Sequence, residues 1–319
     1  ALAGSFPGCE VTDVDVLDQH SGTTGRLRLA LRYGAGPSGP DTVFVKLPPT
    51  GESQRQLVAM TDMGRKEARF YDEIATEIPM RVPHPHFAVH GERTEYIMVL
   101  EDLEGSGCRF VNRLEPLTDD QSRQLVEGLA HVHAHFWEDT RFEDELSWLP
   151  APMRGALGAQ LIGNARDQFA DELPPVFAAL CDLYVEHHDA ICDVWDAGPK
   201  TLIHGDCHAG NQFVDDDRIG LYDWAVISRS PGVRDIAIYL ANSCPTELRR
   251  AGQDEWLQAY HSTLVEAGVD PPSLDELWAS YRRTALYGWV AATTTASMGD
   301  TWQPIEVGMA GMTRATQAC

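Results

Sequence analysis

The hydrophobic period of this chain changes once, near Leu100, and that change limits what it can fold into. Upstream, apolar and polar residues alternate, as in strands with one buried face; downstream, apolar residues recur at helical spacing. Val11-Thr-Asp-Val-Asp-Val-Leu17 alternates and predicts a half-buried strand, His20-Ser-Gly-Thr-Thr-Gly25 predicts a turn, and Arg26 to Arg32 alternates again, so the two runs predict a hairpin. A Gly/Pro loop from Gly34 to Pro40 precedes a third strand, Thr42 to Lys46, which Pro48-Pro49 ends. Gln54 to Glu77 reads as one helix, with Phe70, Ile74 and Ile78 on a face, and after the break at Pro79, Pro83 and Pro85 come strands Phe87–His90 and Tyr96–Leu100. The order is β-β-β-α-β-β.

From Asp102 the pattern is helical. Thr118-Asp-Asp supplies an N-cap with an acidic first turn to a helix reaching Trp137, with Leu125, Leu129, Val132 and Phe136 on one face. Pro174–Trp195 is a second long helical run, and further helices are expected near 247–267, 274–298 and 304–316. Two short strand-like runs, Thr201–His204 and Arg218–Asp223, flank a polar loop between them. The chain of 319 residues is long enough for two cores. The expectation is an α+β fold: an antiparallel-sheet lobe with one helix over 1–101, joined through Leu100–Asp102 to a helical lobe over 102–319. No internal repeat or low-complexity tract interrupts it.

Charge narrows the partners. Acidic residues outnumber basic ones 48 to 25, for a net charge of −23. Such a field repels polyanions, so neither nucleic acid nor an anionic membrane is expected as a partner. The acidity is concentrated in residues 102–319, with 34 acidic and 15 basic side chains. A cationic substrate for that lobe is one reading, an acidic solvated surface the other. Seven cysteines, an odd number without a CxxC pair, argue against a disulfide framework or zinc knuckle and fit free thiols in a reducing cytoplasm. No signal peptide is visible at the start. The longest uncharged stretch, Thr284 to Gly299, reads as a core helix and not a membrane span.

The chemistry concentrates in His204-Gly-Asp-Cys-His-Ala-Gly-Asn211 and in Leu221-Tyr-Asp223-Trp. Asp206 and Asn211 stand in a D-x-x-x-x-N frame on a loop after a strand, and Asp223 ends the next strand. An amide and a carboxylate brought together across such a loop suit Mg²⁺, a hard cation that keeps positions for phosphate and water. A further carboxylate beside them can accept a hydroxyl proton. This is the residue arithmetic of phosphoryl transfer.

Together the two segments resemble the HGDxHxxN loop and I-D-[WF] motif of aminoglycoside phosphotransferases and their choline-kinase-like and ecdysteroid-kinase-like relatives, small-molecule kinases with a protein-kinase-like two-lobed fold. The resemblance runs through the whole chain in order. It implies ATP bound between the lobes with Mg²⁺, Asp206 as the base, Asn211 and Asp223 as metal ligands, and Lys46 on the third strand as the lysine on the α- and β-phosphates. Glu67, in Arg65-Lys-Glu-Ala-Arg-Phe-Tyr71, resembles the ion-pair partner of that lysine, with Glu73 the alternative. Tyr96 to Leu103 resembles the strand and hinge whose backbone holds the adenine, making Met98, Glu101 and Leu103 nucleotide-binding residues. Ser21 and Thr23, in the first turn, could present donors to phosphate. His204 and His208 would organise the loop, and Asp235 would be buried and bonded to it. Lysine usage agrees: 22 of the 25 basic residues are arginine, so Lys46 marks a site suited to a compact ammonium.

The chain also departs from the pattern. Ser21-Gly-Thr-Thr-Gly25 is not a full G-x-G-x-x-G, and Trp224-Ala225 stands where many relatives carry an acidic residue. The short interval from Asp223 to Arg234-Asp235 leaves no room for a long activation loop, which favours a metabolite kinase over a protein kinase. Two alternatives remain: a metal-dependent phosphoesterase using His204, Asp206 and His208, and a pseudokinase that binds nucleotide without turnover. The first needs further His and carboxylate clusters downstream, where only His261 remains. The second usually lacks the base, the metal Asp or the lysine, all present here. His131-Val-His-Ala-His135 is not a metal cluster if helical, because alternate helix residues point apart; structural or surface histidines are expected.

Overall fold

A computed structural model describes residues 2 and 4–319 apart from 23, 93, 116 and 300–303. In chain order the strands and helices are β1 (Val11–Ser21), β2 (Gly25–Tyr33), β3 (Thr42–Leu47), α1 (Glu52–Thr61), α2 (Met63–Arg69), β4 (Pro85–His90), β5 (Tyr96–Glu101), β6 (Arg109–Phe110), α3 (Asp119–His135), α4 (Ala156–Phe169), α5 (Pro175–Asp196), β7 (Thr201–Ile203), β8 (Gln212–Asp215), β9 (Arg218–Leu221), β10 (Ser228–Ser230), α6 (Val233–Ile238), α7 (Thr246–Glu266), α8 (Leu274–Ser297) and α9 (Ile305–Thr316). They fall into two compact units, one of residues 1–110 with 213–227, the other of 111–212 with 228–319.

The first unit is built on an antiparallel sheet of order β1-β2-β3-β5-β4. Its core joins Val43, Val45 and Val99 from the central strands to Leu27, Leu29 and Leu31 of β2. β1 is an edge strand and, contrary to the half-buried expectation, exposed on both faces: Val14, Val16 and Leu17 face solvent with Asp13 and Asp15. Its alternation encodes pairing with β2 and no buried face. The single helix expected over Gln54–Glu77 is broken. Asp62 adopts a left-handed conformation (φ 55°) between α1 and α2, and its carboxylate accepts from Arg65 at 2.7 Å. After α2 the chain widens into a π-turn over Phe70–Ile74, burying Phe70, Tyr71 and Ile74 together. The hairpin β8–β9 returns to this unit, with β8 pairing β6.

The second unit is helical. α3 begins with a capping box between Thr118 and Gln121, as its N-cap signal predicts. The helix α4 and the short strand β10, absent from the sequence reading, are additions here, as β8 is in the first unit. α4, α5, α8 and α9 enclose an apolar core including Ile162, Phe177, Trp195, Trp289 and Met312. β7 pairs antiparallel with β10 and carries the chain into the polar loop at His204. All seven cysteines are free. Among the described residues no helix is long and apolar enough to cross a membrane.

Candidate active site

Lys46 lies on β3 opposite Arg26 of β2 and Met98 of β5. It is only 4% exposed, so its ammonium must be paired. Its Nζ donates to both carboxylate oxygens of Glu67, at 2.6 and 2.7 Å, and to Oδ1 of Asp223 at 2.8 Å. Glu67 comes from α2 and is fully buried; burial pushes its carboxyl above the ordinary carboxylate range while Lys46 beside it pulls the other way. Asp223 lies two residues beyond β9 at φ 65°, an unusual conformation for a side-chain-bearing residue. Its neighbours hold it there. Leu221 N–H donates to the Arg81 carbonyl at 3.0 Å. The buried Trp224 ring stacks on Phe70, 4.2 Å between centroids and 10° between planes. The position noted as a departure from the relatives is thus an anchor between the Asp223 turn and the end of α2.

The second cluster surrounds the loop after β7. Gly205 adopts φ 84°, a conformation that suits glycine. Asp235, fully buried on α6, accepts from the backbone N–H of His204 at 2.8 Å and of Gly205 at 2.9 Å. His133 of α3 sits behind it, Nε2 3.3 Å from Asp235 and Nδ1 2.8 Å from the Tyr260 hydroxyl. Burial alone would raise the Asp235 carboxyl, but His133, His204 and the loop N–H groups bring it below the ordinary aspartate value. Within the loop, His204 Nδ1 accepts from Asp206 N–H at 3.1 Å and His208 Nδ1 from Gly210 N–H at 2.9 Å. With Nδ1 an acceptor, the proton of each neutral ring is assigned to Nε2. His208 Nε2 lies 3.4 Å from Asp206 Oδ2. Asn211 spends its amide nitrogen on the same residue, donating to the Asp206 carbonyl at 2.9 Å and to Oδ2 at 3.0 Å. The Asp206 carboxylate is therefore oriented by an imidazole and an amide while over a third exposed. Cys207 points away from chemistry: it is fully buried, and burial beside Asp235 pushes its thiol well up.

The structure thus gathers Lys46, Glu67 and Asp223 in one unit and His204, Asp206, His208, Asn211 and Asp235 in the other. Of the remaining expected nucleotide-binding residues, Met98 adjoins the first cluster, cross-strand from Lys46, while Glu101, Leu103 and Ser21 have partners elsewhere. Met98 is fully buried within the sheet. The Glu101 carboxylate is taken by Arg81 at 2.6 Å and by His84 N–H at 3.0 Å. Leu103 is buried beside Cys108 and Phe213. Ser21 is exposed at the end of β1, its hydroxyl 3.5 Å from that of Thr50. Thr23 lies outside the described residues.

Residues 26–277 match the profile of the phosphotransferase enzyme family, APH. The chain belongs to this family. Solved structures share the fold at low identity. An aminoglycoside 2'-phosphotransferase-IIIa bound to GDP is 13% identical with a TM-score of 0.55, covering 99% of this chain and 96% of that one. Choline kinase from Cryptosporidium parvum is 11% identical with a TM-score of 0.56, covering 96% and 88%. Ethanolamine kinase from Plasmodium vivax is 14% identical with a TM-score of 0.51, covering 96% and 81%. Among curated proteins no sequence matches the chain. As an APH-family protein it is a phosphotransferase, and the phosphoesterase reading is set aside.

In this APH-family chain the contacts of three residues in the two clusters are not legible from the sequence. His133 is a structural histidine, as expected of one member of His131-Val-His-Ala-His135, but its partner Asp235 is not readable from the run: His133 lies four residues after Leu129, the one member on the buried face of α3. Tyr260, its partner, carries no local signal. Arg26 is the third: the β2–β3 register sets it opposite Lys46, and its Nη2 lies 3.4 Å from Asp223 Oδ2.

Proposed function

We propose that the protein transfers the γ-phosphoryl group of ATP, with Mg²⁺, to a hydroxyl of a small molecule. The observation that carries this reading is the buried lysine: Lys46 holds Glu67 and Asp223 within 2.8 Å, partners 21 and 177 positions away in sequence. A fully desolvated cation costs several kcal/mol to bury, and hydrophobic residues could close a β-sheet core without it. Its retention at the Asp223 carboxylate, in a family of phosphotransferases, supports a role toward phosphate.

Each cluster offers an oxygen donor suited to Mg²⁺. Asp223 offers a carboxylate that already attracts two cations, Lys46 and Arg26. Asn211 has its amide nitrogen engaged by Asp206, so its carbonyl oxygen is the ligand atom. Both are hard oxygens. When bound, the metal would offset charge on the phosphate oxygens. Lys46 would bind the α- and β-phosphates as a point charge, kept in place by Glu67. Asp206 would orient the acceptor hydroxyl and take its proton, with His208 and Asn211 fixing the rotamer of the carboxylate. Catalysis of this kind is positioning and electrostatics. The acidic 102–319 region is compatible with a cationic acceptor such as an aminoglycoside, amino sugar or choline-like alcohol, and the division of labour follows the units, the first for nucleotide, the second for acceptor.

The test is ATP consumption across a panel of hydroxylated amines, sugars and sterols, with Asp206→Asn as the control. We expect one acceptor class to stimulate turnover, and Asp206→Asn to lower kcat by about 10²–10⁴ while ATP affinity stays within twofold. A protein that binds ATP but turns over no acceptor, with Asp206→Asn indistinguishable from wild type, would be the pseudokinase.

A further inference from the structure

We infer that Arg26 is a second polyphosphate-binding cation of this site, parked on Asp223 in the ligand-free protein and released when the metal takes that carboxylate. The inference rests on the ATP and Mg²⁺ reading above and adds to it a residue outside the family motifs.

The geometry is as follows. Arg26 is the second residue of β2, and the β2–β3 register places it directly opposite Lys46. Side chains directly opposite on neighbouring strands share a face. Both reach one carboxylate, Lys46 at Oδ1 (2.8 Å) and Arg26 at Oδ2 (3.4 Å). The residue expected to ligate Mg²⁺ is thus engaged by a cation on each oxygen. The partners differ in what they keep if Asp223 turns to a metal. Lys46 retains both oxygens of Glu67. Arg26 retains the neutral Thr24 hydroxyl at 3.3 Å and forms no second ion pair among the described residues.

Charge counting gives the direction. Lys46, Arg26, Glu67 and Asp223 sum to zero. A divalent ion alone would leave the cluster at plus two, with Arg26 deprived of its anion, and ATP alone, at minus four, would leave it at minus four; the Mg²⁺–ATP pair leaves minus two, so each ligand offsets part of the imbalance the other creates. The guanidinium side chain is one-third exposed, so it can swing without dragging a buried group out. Its planar fork suits phosphate oxygens. Metal and nucleotide should therefore bind with positive coupling, and Arg26 should carry part of it.

Arg26→Gln and Arg26→Lys test this by titration calorimetry and by Mn²⁺ binding followed through its paramagnetism, on the full chain. In Arg26→Gln, ATP affinity in the presence of Mg²⁺ is expected to fall about tenfold or more, while adenosine affinity is unchanged. Nucleotide-free Mn²⁺ affinity is expected to rise, because Asp223 loses a competing cation. Arg26→Lys should recover part of the ATP affinity and lower Mn²⁺ affinity again. Opposite shifts in the two affinities cannot come from general loosening. Unchanged ATP affinity in Arg26→Gln, or parallel losses of ATP, adenosine and Mn²⁺ binding, would overturn the inference. A wild-type protein that binds no nucleotide would instead sink the ATP reading itself, which separates the two failures.

Discussion

Lys46 and Asp223 are 177 residues apart and meet through an ion pair, whereas Asp206 and Asn211 are five apart and meet through an amide hydrogen bond. The first cluster is made of charges that neutralise each other in a buried setting and depends on tertiary structure to bring them together. The second is a short loop folded on its own side chains, with one remote buried carboxylate, Asp235, pinning its backbone. Their titration runs in opposite directions. Glu67 has its carboxyl raised by burial, so its contribution to stability is present below its ordinary value of 4.5 and is lost as pH rises through the higher folded value. Asp235 has its carboxyl lowered, so its contribution is present above 3.8 and is lost as pH falls through the lower folded value. One cluster is a charge balance sensitive to deletion of a cation, the other a hydrogen-bonded scaffold sensitive to loss of a donor.

The sharpest way to break the charge balance is Lys46→Met. It removes the shared cation and leaves Glu67 buried without its nearest positive charge. Breaking a buried pair from one side typically destabilises by about 3–5 kcal/mol, and we expect a loss of that size in urea unfolding near neutral pH. With the lysine gone, burial dominates and Glu67 takes up a proton, so the deficit relative to wild type should narrow as pH falls. An infrared carbonyl band of a protonated carboxyl, absent from Lys46→Met/Glu67→Gln, would identify the group. A deficit independent of pH would mean that the cluster is held by packing and not by charge.

The scaffold breaks more gently. His133→Ala removes the side chain between Asp235 and Tyr260, and leaving such buried groups short of a partner costs about 1–3 kcal/mol. Of the influences that lower the Asp235 carboxyl, the His133 hydrogen bond is the strongest. Without it, the acid limb of the stability curve should move to higher pH, a shift readable in urea midpoints across the acid range. Turnover should fall with it, since the Asp235 contacts to His204 and Gly205 are what shape the loop. ATP affinity should not change, because Lys46, Glu67 and Asp223 are untouched. An unshifted acid limb would show that the loop N–H groups alone set the Asp235 titration.

How much of this was legible depended on whether the information was local. The Asp206–Asn211 frame and the cap at Thr118 are encoded within a few residues, and periodicity was enough for the existence and chain order of β1 to β5. The break at Asp62 was not, because a left-handed aspartate inside an amphipathic run leaves the helical period intact on both sides. The exposure of β1 was not, because alternation reports pairing geometry and says nothing about whether a second layer covers the strand. Lys46 was legible through the scarcity of lysine, yet its second cation, Arg26, was hidden in a chain with 22 arginines. Trp224 reads as a departure from relatives until its stacking on Phe70 gives it a mechanical task. Composition and spacing report what a residue can do; which partner it finds is decided by packing over long sequence distances.

The smallest effect sharpens the comparison within the second unit itself. Gly205 and Gly198 both adopt positive φ, 84° and 110°, and alanine at either position should cost about 1–2 kcal/mol in backbone strain. They differ in what the strain touches. Gly198 lies in the turn between α5 and β7, where an added Cβ meets nothing within 4 Å. Gly205 donates its N–H to Asp235 and sets the direction of the next residue, Asp206. Gly198→Ala and Gly205→Ala should therefore lower the unfolding midpoint by similar amounts, while only Gly205→Ala lowers kcat, with the KM for nucleotide unchanged in both. If both variants lost turnover in proportion to stability, the loop would be merely a folded segment like any other; a split between them ties its backbone geometry to the orientation of Asp206.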